Sequence, residues 1–139
     1  MSEDKQQKTY RGRIAPTPSG YLHEGHASTF KVAWSRARER NGDVVYRNDD
    51  LDKLRCRSEF AQAAMQDLKS LTINWDEGPD CGGKYGPYNQ SERADKYTAT
   101  LLKLAKEGFV YPCEKSRKEI QAFGKKAPVG NEYLFPQEL

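Results

Sequence analysis

A strand, a tight turn and a helix start are compressed into one run of fourteen residues, Arg13-Ile14-Ala15-Pro16-Thr17-Pro18-Ser19-Gly20-Tyr21-Leu22-His23-Glu24-Gly25-His26. No other feature constrains the fold of this chain as much. The run opens on a short apolar stretch, passes Pro16, Pro18 and Gly20, and ends on two histidines ahead of a helical pattern. Proline has no N–H to give to a ladder or a helix interior, so the strand ends and a turn follows. A helix N-terminus presents unpaired N–H groups and partial positive charge, and so suits phosphate. The two histidines of the chain, His23 and His26, both stand there, and imidazoles can donate to phosphate oxygens as well. Taken alone, a His-x-Gly-His run is equally a turn with two solvated histidines; the whole run points to nucleotide chemistry.

Around it, strand-like and helix-like stretches alternate, which predicts an α/β fold with a parallel sheet and flanking helices. Gly12 to Ala15 reads as the first strand. Phe30, Ala33, Trp34 and Ala37 recur at helical spacing until Asn41-Gly42 stops the helix. Val44-Val45-Tyr46 is a second strand. Ser58 is a candidate cap for a helix with Phe60, Ala64, Leu68 and Leu71 on its apolar side, and Ile73 to Trp75 is a candidate short strand. The Gly-, Pro- and Asp-rich segment from Asp76 to Asn89 is expected to be an ordered loop. A third helix carries Ala94, Tyr97, Leu101, Leu104 and Ala105 on one side and stops at Gly108. Phe109 to Tyr111 reads as another strand. Ser116-Arg117-Lys118-Glu119 has the capping-box pattern of a short helix stopping near Gly124.

Composition excludes some classes. A chain of 139 residues is about one domain, and no apolar run long enough to cross a bilayer occurs. The first nine residues are polar and of mixed charge, so no signal peptide is expected. The net charge of +3 permits an RNA partner without arguing for one. Cys56, Cys81 and Cys113 are too few and too widely spaced for a disulfide framework, which fits a reducing, cytoplasmic setting.

The first run resembles the HIGH signature of class I aminoacyl-tRNA synthetases, in the form used by the glutamate and glutamine enzymes. A second stretch agrees with it. Trp75-Asp76-Glu77-Gly78-Pro79-Asp80, Gly82-Gly83, Tyr85-Gly86-Pro87-Tyr88 and Gln90-Ser91-Glu92-Arg93 resemble the W-D-E-G-P-D-x-G-G-x-Y-G-P-Y-x-Q-S-E-R segment of bacterial-type glutamyl-tRNA synthetases. The resemblance covers roughly residues 10 to 120. It implies the first half of a Rossmann-type class I catalytic domain over 10–124, with a polar tail at 1–9 and a tail or the start of an insertion at 125–139. In the family a second half with a KMSKS-type loop and an anticodon-binding domain follow. Neither is found in these residues, and Lys125-Lys126 lacks the motif, so a fragment or a free-standing half-domain is expected.

The activity the resemblance implies is ATP-dependent activation of glutamate to glutamyl-adenylate, followed by transfer to the acceptor end of a tRNA. Holding two anions together and stabilising the charged phosphorus centre suffices, and no protein nucleophile is needed. His23 and His26 would contact the ATP phosphates as the catalytic pair. Gly20 would complete the ATP site, and Gly25 would make room for adenine and ribose. Arg13 would grip the far carboxylate of glutamate through its fork of N–H groups, with Ala15 and Thr17 lining the same pocket. In Arg47-Asn48-Asp49-Asp50-Leu51-Asp52, Asp49 stands where the glutamate enzymes have the Glu that holds the substrate ammonium. Arg47 and Arg93 would be structural or would meet the tRNA.

Two departures from the family pattern stand out. Glu24 occupies a position that is usually apolar; a carboxylate there repels triphosphate unless it faces solvent or a basic neighbour. Asp49 is one methylene shorter than Glu. Magnesium is expected with the ATP. Zinc is not, because Cys113-Glu114-Lys115 replaces the Cys-x-Cys start of the zinc module found in many relatives. A shorter relative, the glutamyl-queuosine tRNA(Asp) synthetase, is the alternative within the family, although the W-D-E-G-P-D segment favours the glutamyl-tRNA enzyme. Outside it stand a non-catalytic half-domain binding glutamate, nucleotide or a partner protein, and an unrelated phosphate-binding module. An uncovered sheet edge implies self-association.

Overall fold

The computed structural model describes residues 10–130 and 132–135. The tail expected at 1–9 lies outside the described residues, as do 131 and 136–139 of the tail expected at 125–139. The fold is α/β: two parallel strands, β1 (Arg11–Ile14) and β2 (Asp43–Tyr46), with helices α1 (Glu24–Arg38) and α2 (Ser58–Ser70). A 3₁₀ turn (Gln90–Arg93), α3 (Ala94–Lys106) and α4 (Arg117–Phe123) follow.

The strands pair in the register Arg11↔Asp43 to Ile14↔Tyr46. Both alternate strictly, with Gly12, Ile14, Val44 and Tyr46 buried and their neighbours facing outward. That period-2 pattern points one face of the ribbon at the helices. The connection through α1 is the crossover a parallel pair requires. The α1 helix carries Glu24 in its first turn and Arg36 and Arg38 in its last, charges that suit the helix dipole at each end. Asn41, at φ 49, turns the chain, and the Gly42 N–H returns to the Ala37 carbonyl at 2.8 Å before β2 begins.

Ile14, Ala37, Val44, Tyr46, Leu68 and Ile73 form the core, with Leu22, Phe30, Trp34, Met65 and Trp75 packed against it. Each large side chain among them contributes roughly 1.5–3 kcal/mol by leaving water. The core therefore joins both strands, α1 and α2 into one body. The chain divides into two compact units, residues 1–98 and 99–139, with the boundary inside α3; all of this core lies in the first.

Four local expectations are corrected. Arg57, not Ser58, is the N-cap of α2, and it makes no side-chain cap bond. Ser58 already has helical geometry, because the Arg57 N–H is taken by the Pro18 carbonyl at 3.0 Å. Leu71 is the C-cap of α2 and is exposed, so it is not part of the apolar face. Ile73 to Trp75 is not a strand; the bridge to β2 comes two residues later, Glu77 pairing with Val45. Phe109 to Tyr111 is not a strand either. A β-propensity triplet forms no strand without a ladder partner. Phe109 instead closes the end of α3, its N–H reaching the Leu104 carbonyl while Gly108, at φ 78, returns to Ala105.

In the second unit the Ser116 capping box is present, with Ser116 and Glu119 bonded reciprocally. An antiparallel bridge joins Lys126 to Tyr133, and the Tyr111 and Phe135 rings meet edge to face at 5.7 Å.

Candidate functional site

The two sequence runs singled out above meet at the C-terminal ends of β1 and β2. The Arg47 N–H donates to the Ile14 carbonyl at 2.8 Å, and the Asp49 N–H to the Pro16 carbonyl at 3.0 Å. These bonds extend the strand pairing past β1, where Pro16 and Pro18 can accept but not donate. Ends of parallel strands are where open α/β sheets take ligands.

The 15–22 turn then leads into α1 and encloses a cavity of about 400 Å³. Its walls are Ala15, Pro16, Thr17, Ser19, Gly20, Tyr21, Leu22, His26 and Phe30. Four of the residues picked from the sequence, Ala15, Thr17, Gly20 and His26, are thereby brought onto one wall. Tyr21, Leu22 and Phe30 were not picked as site residues. Their signal was present: Tyr21 and Leu22 lie inside the signature run, and Phe30 stands one helical turn after His26. A larger cleft of about 540 Å³ opens between Pro18, Asn48, Asp50, the start of α2 and Asp80. None of the residues picked from the sequence lines it.

His23 is the N-cap of α1. Its backbone is extended, and its Nδ1 accepts the Gly25 N–H at 3.1 Å. The His23 and His26 rings stack with centroids 3.8 Å apart and planes 28° from parallel. Both imidazoles are exposed. Glu24, the first residue of α1, is also exposed, and among the described residues it makes no ion pair. The helix start therefore presents His26 to the cavity and His23 beside it.

Arg13 is an outward-facing residue of β1, and among the described residues its guanidinium makes no hydrogen bond or ion pair. It does not line the cavity wall. Asp49 is held differently: Arg47 donates from Nε to Oδ1 at 2.6 Å and from its terminal nitrogen to Oδ2 at 2.9 Å. The hydrogen bond to Asp49 holds the Arg47 guanidinium above its ordinary pKa. Asp50 points elsewhere, accepting from the Ser91 N–H and hydroxyl at 2.9 and 2.6 Å. Asp52 caps its own turn, accepting from the Leu54 and Arg55 N–H groups and from Arg55 Nε. The acidic run is thus divided among an ion pair, a link to the second motif and a turn.

The 76–93 segment is built as a fixed support. Arg11 donates to Glu77 at 2.8 Å, and the Tyr88 hydroxyl donates to the other Glu77 oxygen. Arg11 also lies over the Tyr85 ring at 4.8 Å. The hydrogen bonds from Arg11 and then Tyr88 hold the Glu77 carboxyl below its usual range. Arg93 donates to the Pro87 and Tyr85 carbonyls at 2.8 and 2.6 Å. Arg93 therefore clamps the loop that precedes it. Trp75 packs against Tyr46 with its ring tilted 41° and centroids 4.6 Å apart, and donates to Asp80, which also takes the Lys69 ammonium at 2.7 Å.

Among the described residues no group of three or more His, Cys, Asp or Glu side chains is placed to hold a metal ion. Among those same residues no helix is long and apolar enough to cross a membrane.

Comparison with known proteins gives the family. Residues 9–132 match the family of class I tRNA synthetases (E and Q), catalytic domain. A glutamyl-Q tRNA(Asp) synthetase of Symbiobacterium thermophilum is 48% identical over 119 residues, 86% of this chain and 36% of the relative. A glutamate–tRNA ligase of the same organism is 44% identical over 124 residues, 84% of this chain and 26% of the relative. Among solved structures, a glutamate tRNA ligase of Elizabethkingia meningosepticum in complex with its amino acid superposes with a TM-score of 0.74 at 31% identity. That match covers 83% of this chain and 23% of the other. The chain spans about a third or less of the length of these relatives.

Proposed function

This chain belongs to the class I tRNA synthetases of the E and Q type, and from that membership we propose that it is the N-terminal half of a site that activates glutamate with ATP and passes it to a tRNA. The observation that carries the reading is the cavity at the end of β1, walled by Ala15, Thr17, Gly20 and His26, whose ring stacks on that of His23. In this reading the start of α1 takes the ATP phosphates, with His23 and His26 donating to them as charge develops at phosphorus. Ala15 and Thr17 line the amino-acid side. The free guanidinium of Arg13 is the cation that a side-chain carboxylate needs. Asp49 offers the substrate ammonium the lone pairs that Arg47 leaves open.

The cavity wall carries no carboxylate, so magnesium would arrive bound to the triphosphate, with phosphate and water as its ligands. The reading places the protein in the cytoplasm, in keeping with its free cysteines Cys56, Cys81 and Cys113. Among the described residues β1 has a single strand neighbour. Its open edge supports self-association, which sedimentation velocity tests: a clean monomer at high concentration removes it.

Relatives named for both acceptors match at 44–48% identity, and activation of glutamate is the step the two share. The acceptor, tRNA(Glu) or tRNA(Asp), is read by charging each in parallel. The test of the reading itself is glutamate-dependent exchange of pyrophosphate into ATP. Exchange that requires glutamate rather than glutamine and is lost in Arg13→Ala supports it. A folded protein that binds ATP and glutamate without exchange is a substrate-binding half, the second reading. A protein that binds neither sinks both.

A further inference from the structure

We infer that the larger cleft, about 540 Å³ beside the start of α2, binds a small zwitterion, an α-amino acid with an aliphatic side chain. This cleft shares no lining residue with the cavity at the end of β1. Asn48 points to a ligand there. It lines the cleft, is only 7% exposed, and its Oδ1 has no hydrogen-bond partner among the described residues. The other polar groups of Asn48 are all used. Its N–H donates to the Tyr88 carbonyl at 2.9 Å, its carbonyl accepts the Gln90 N–H at 3.0 Å, and its Nδ2 donates to Asn89 at 3.1 Å. A buried acceptor left open is unfavourable, and a ligand that brings a donor relieves it.

The charges of the wall decide what that donor is attached to. Asp80 is matched by the Lys69 ammonium at 2.7 Å. Asp50 accepts from Ser91, and Glu92 accepts from Asn89 through one oxygen at 2.9 Å, so both keep their negative charge. Two cations face them. The Lys53 ammonium makes no hydrogen bond or ion pair among the described residues. Arg57 has a loose pair with Glu59 at 3.6 Å, both side chains being more than half exposed, and such a pair holds it weakly. Two anions and two cations leave the wall neutral. A dianion such as phosphate gains no net attraction from it, whereas a zwitterion meets both signs. The ligand ammonium supplies the donor for Asn48 Oδ1 on the side of Glu92, and the carboxylate goes to Lys53 and Arg57. Pro18, Ala61, Met65 and Pro79 make up the apolar part of the wall. That part suits an aliphatic side chain and leaves a second carboxylate, as in glutamate, without a partner.

The test titrates the full chain, labelled with ¹⁵N, with L-leucine as the probe and follows backbone and Asn side-chain N–H signals. Saturable shifts are expected at the Asn48 side-chain amide and around Lys53 and Ala61. Removing one end of the zwitterion, in 4-methylpentanoate or in leucinamide, is expected to weaken binding about tenfold, the scale of a hydrogen bond to a charged group. Lys53→Gln should weaken leucine by a similar factor. Ala61→Phe, which fills the cleft without touching its charges, should abolish binding. Glutamate at the same concentration should leave leucine bound. A folded protein without saturable shifts overturns the proposal, as do shifts confined to the cavity at the end of β1. Inorganic phosphate binding more tightly than leucine, or 4-methylpentanoate binding equally well, removes the zwitterion. Displacement of leucine by glutamate would assign it to the glutamate site and likewise overturn the proposal. If Ala61→Phe fails to fold, Lys53→Gln, a change on an exposed side chain, decides together with the two leucine analogues.

Discussion

Arg47 grips Asp49 through both carboxylate oxygens, two residues apart in sequence, at 2.6 and 2.9 Å. Their side chains are 30% and 28% exposed, so the pair is neither a solvated surface bridge nor a buried one. A two-point pair of this kind fixes the carboxylate plane as well as its place. The shorter Asp at position 49 is thus aimed by a neighbour rather than by its own reach.

If Asp49 receives the substrate ammonium, aim matters more than charge. Arg47→Lys keeps the cation but cannot form the fork. The expected outcome is a rise of about tenfold in the KM for glutamate, with the KM for ATP unchanged and stability altered by less than ~1 kcal/mol. Steady-state pyrophosphate exchange with each substrate varied in turn, next to a urea melt, reads all three. Equal effects on both substrates would remove Asp49 from the amino-acid side.

Glu77 supplies a pH prediction. Arg11 and Tyr88 lower its pKa in the folded state, so the folded protein holds the charged form more strongly than the unfolded chain does. The stabilisation is present above the ordinary carboxylate pKa and is lost as pH falls through the lowered folded value. Glu77→Gln should therefore be less stable than the native protein at pH 7, and the gap should close in acid, below about pH 4. Urea melts of both proteins from pH 7 to pH 3 check the direction. A gap that stays constant across that range would show that the charge of Glu77 contributes nothing.

Gly42 lies where the chain enters β2, against the backbone of Tyr10. A Cβ there would come within 2.9 Å of the Tyr10 carbonyl carbon and 3.0 Å of its Cβ, and backbone cannot swing aside as a side-chain tip can. Gly42→Ala is expected to cost roughly 1–3 kcal/mol, or about 4 °C of Tm per kcal/mol. Thermal unfolding by circular dichroism measures it; an unchanged Tm would mean that the strands shift apart freely.

Tyr46 is fully buried, and its hydroxyl has no hydrogen-bond partner among the described residues. Burial also pushes its pKa up. The ring packs on Trp75, so the apolar part of the side chain stabilises the core while the oxygen opposes it. Tyr46→Phe keeps the ring and removes a hydroxyl whose burial costs about 1–3 kcal/mol. It should match or exceed the native protein in denaturant midpoint, with an unchanged m-value. A clear loss of stability would show that the hydroxyl is bonded in solution.

The alternation of β1 and β2, the helical spacing of α1 and the capping box of α4 were legible because each depends on residues within one turn or one strand. Ile73 to Trp75 and Phe109 to Tyr111 were misread for the opposite reason: a strand exists only with a partner, and partners are set by distant chain. The cap of α2 was misplaced by one residue because the Arg57 N–H is claimed by Pro18, almost forty residues upstream. The site divides in the same way. The signature run already contained Ala15, Thr17, Gly20, His23 and His26. That Asp50 serves Ser91 and that Glu77 bonds to Arg11 could not be read from any local pattern.

By itself the sequence determined which chemistry can occur. Two prolines and a glycine end a strand, two histidines begin a helix, and this order is local because proline, glycine and caps act on their own backbone. Only the tertiary structure decided which carboxylate is free and which is paired. Hydrogen bonds and ion pairs are made at about 3 Å, and only the packing of β1 against β2 brings residues 15–17 and 47–49 within that reach of one another.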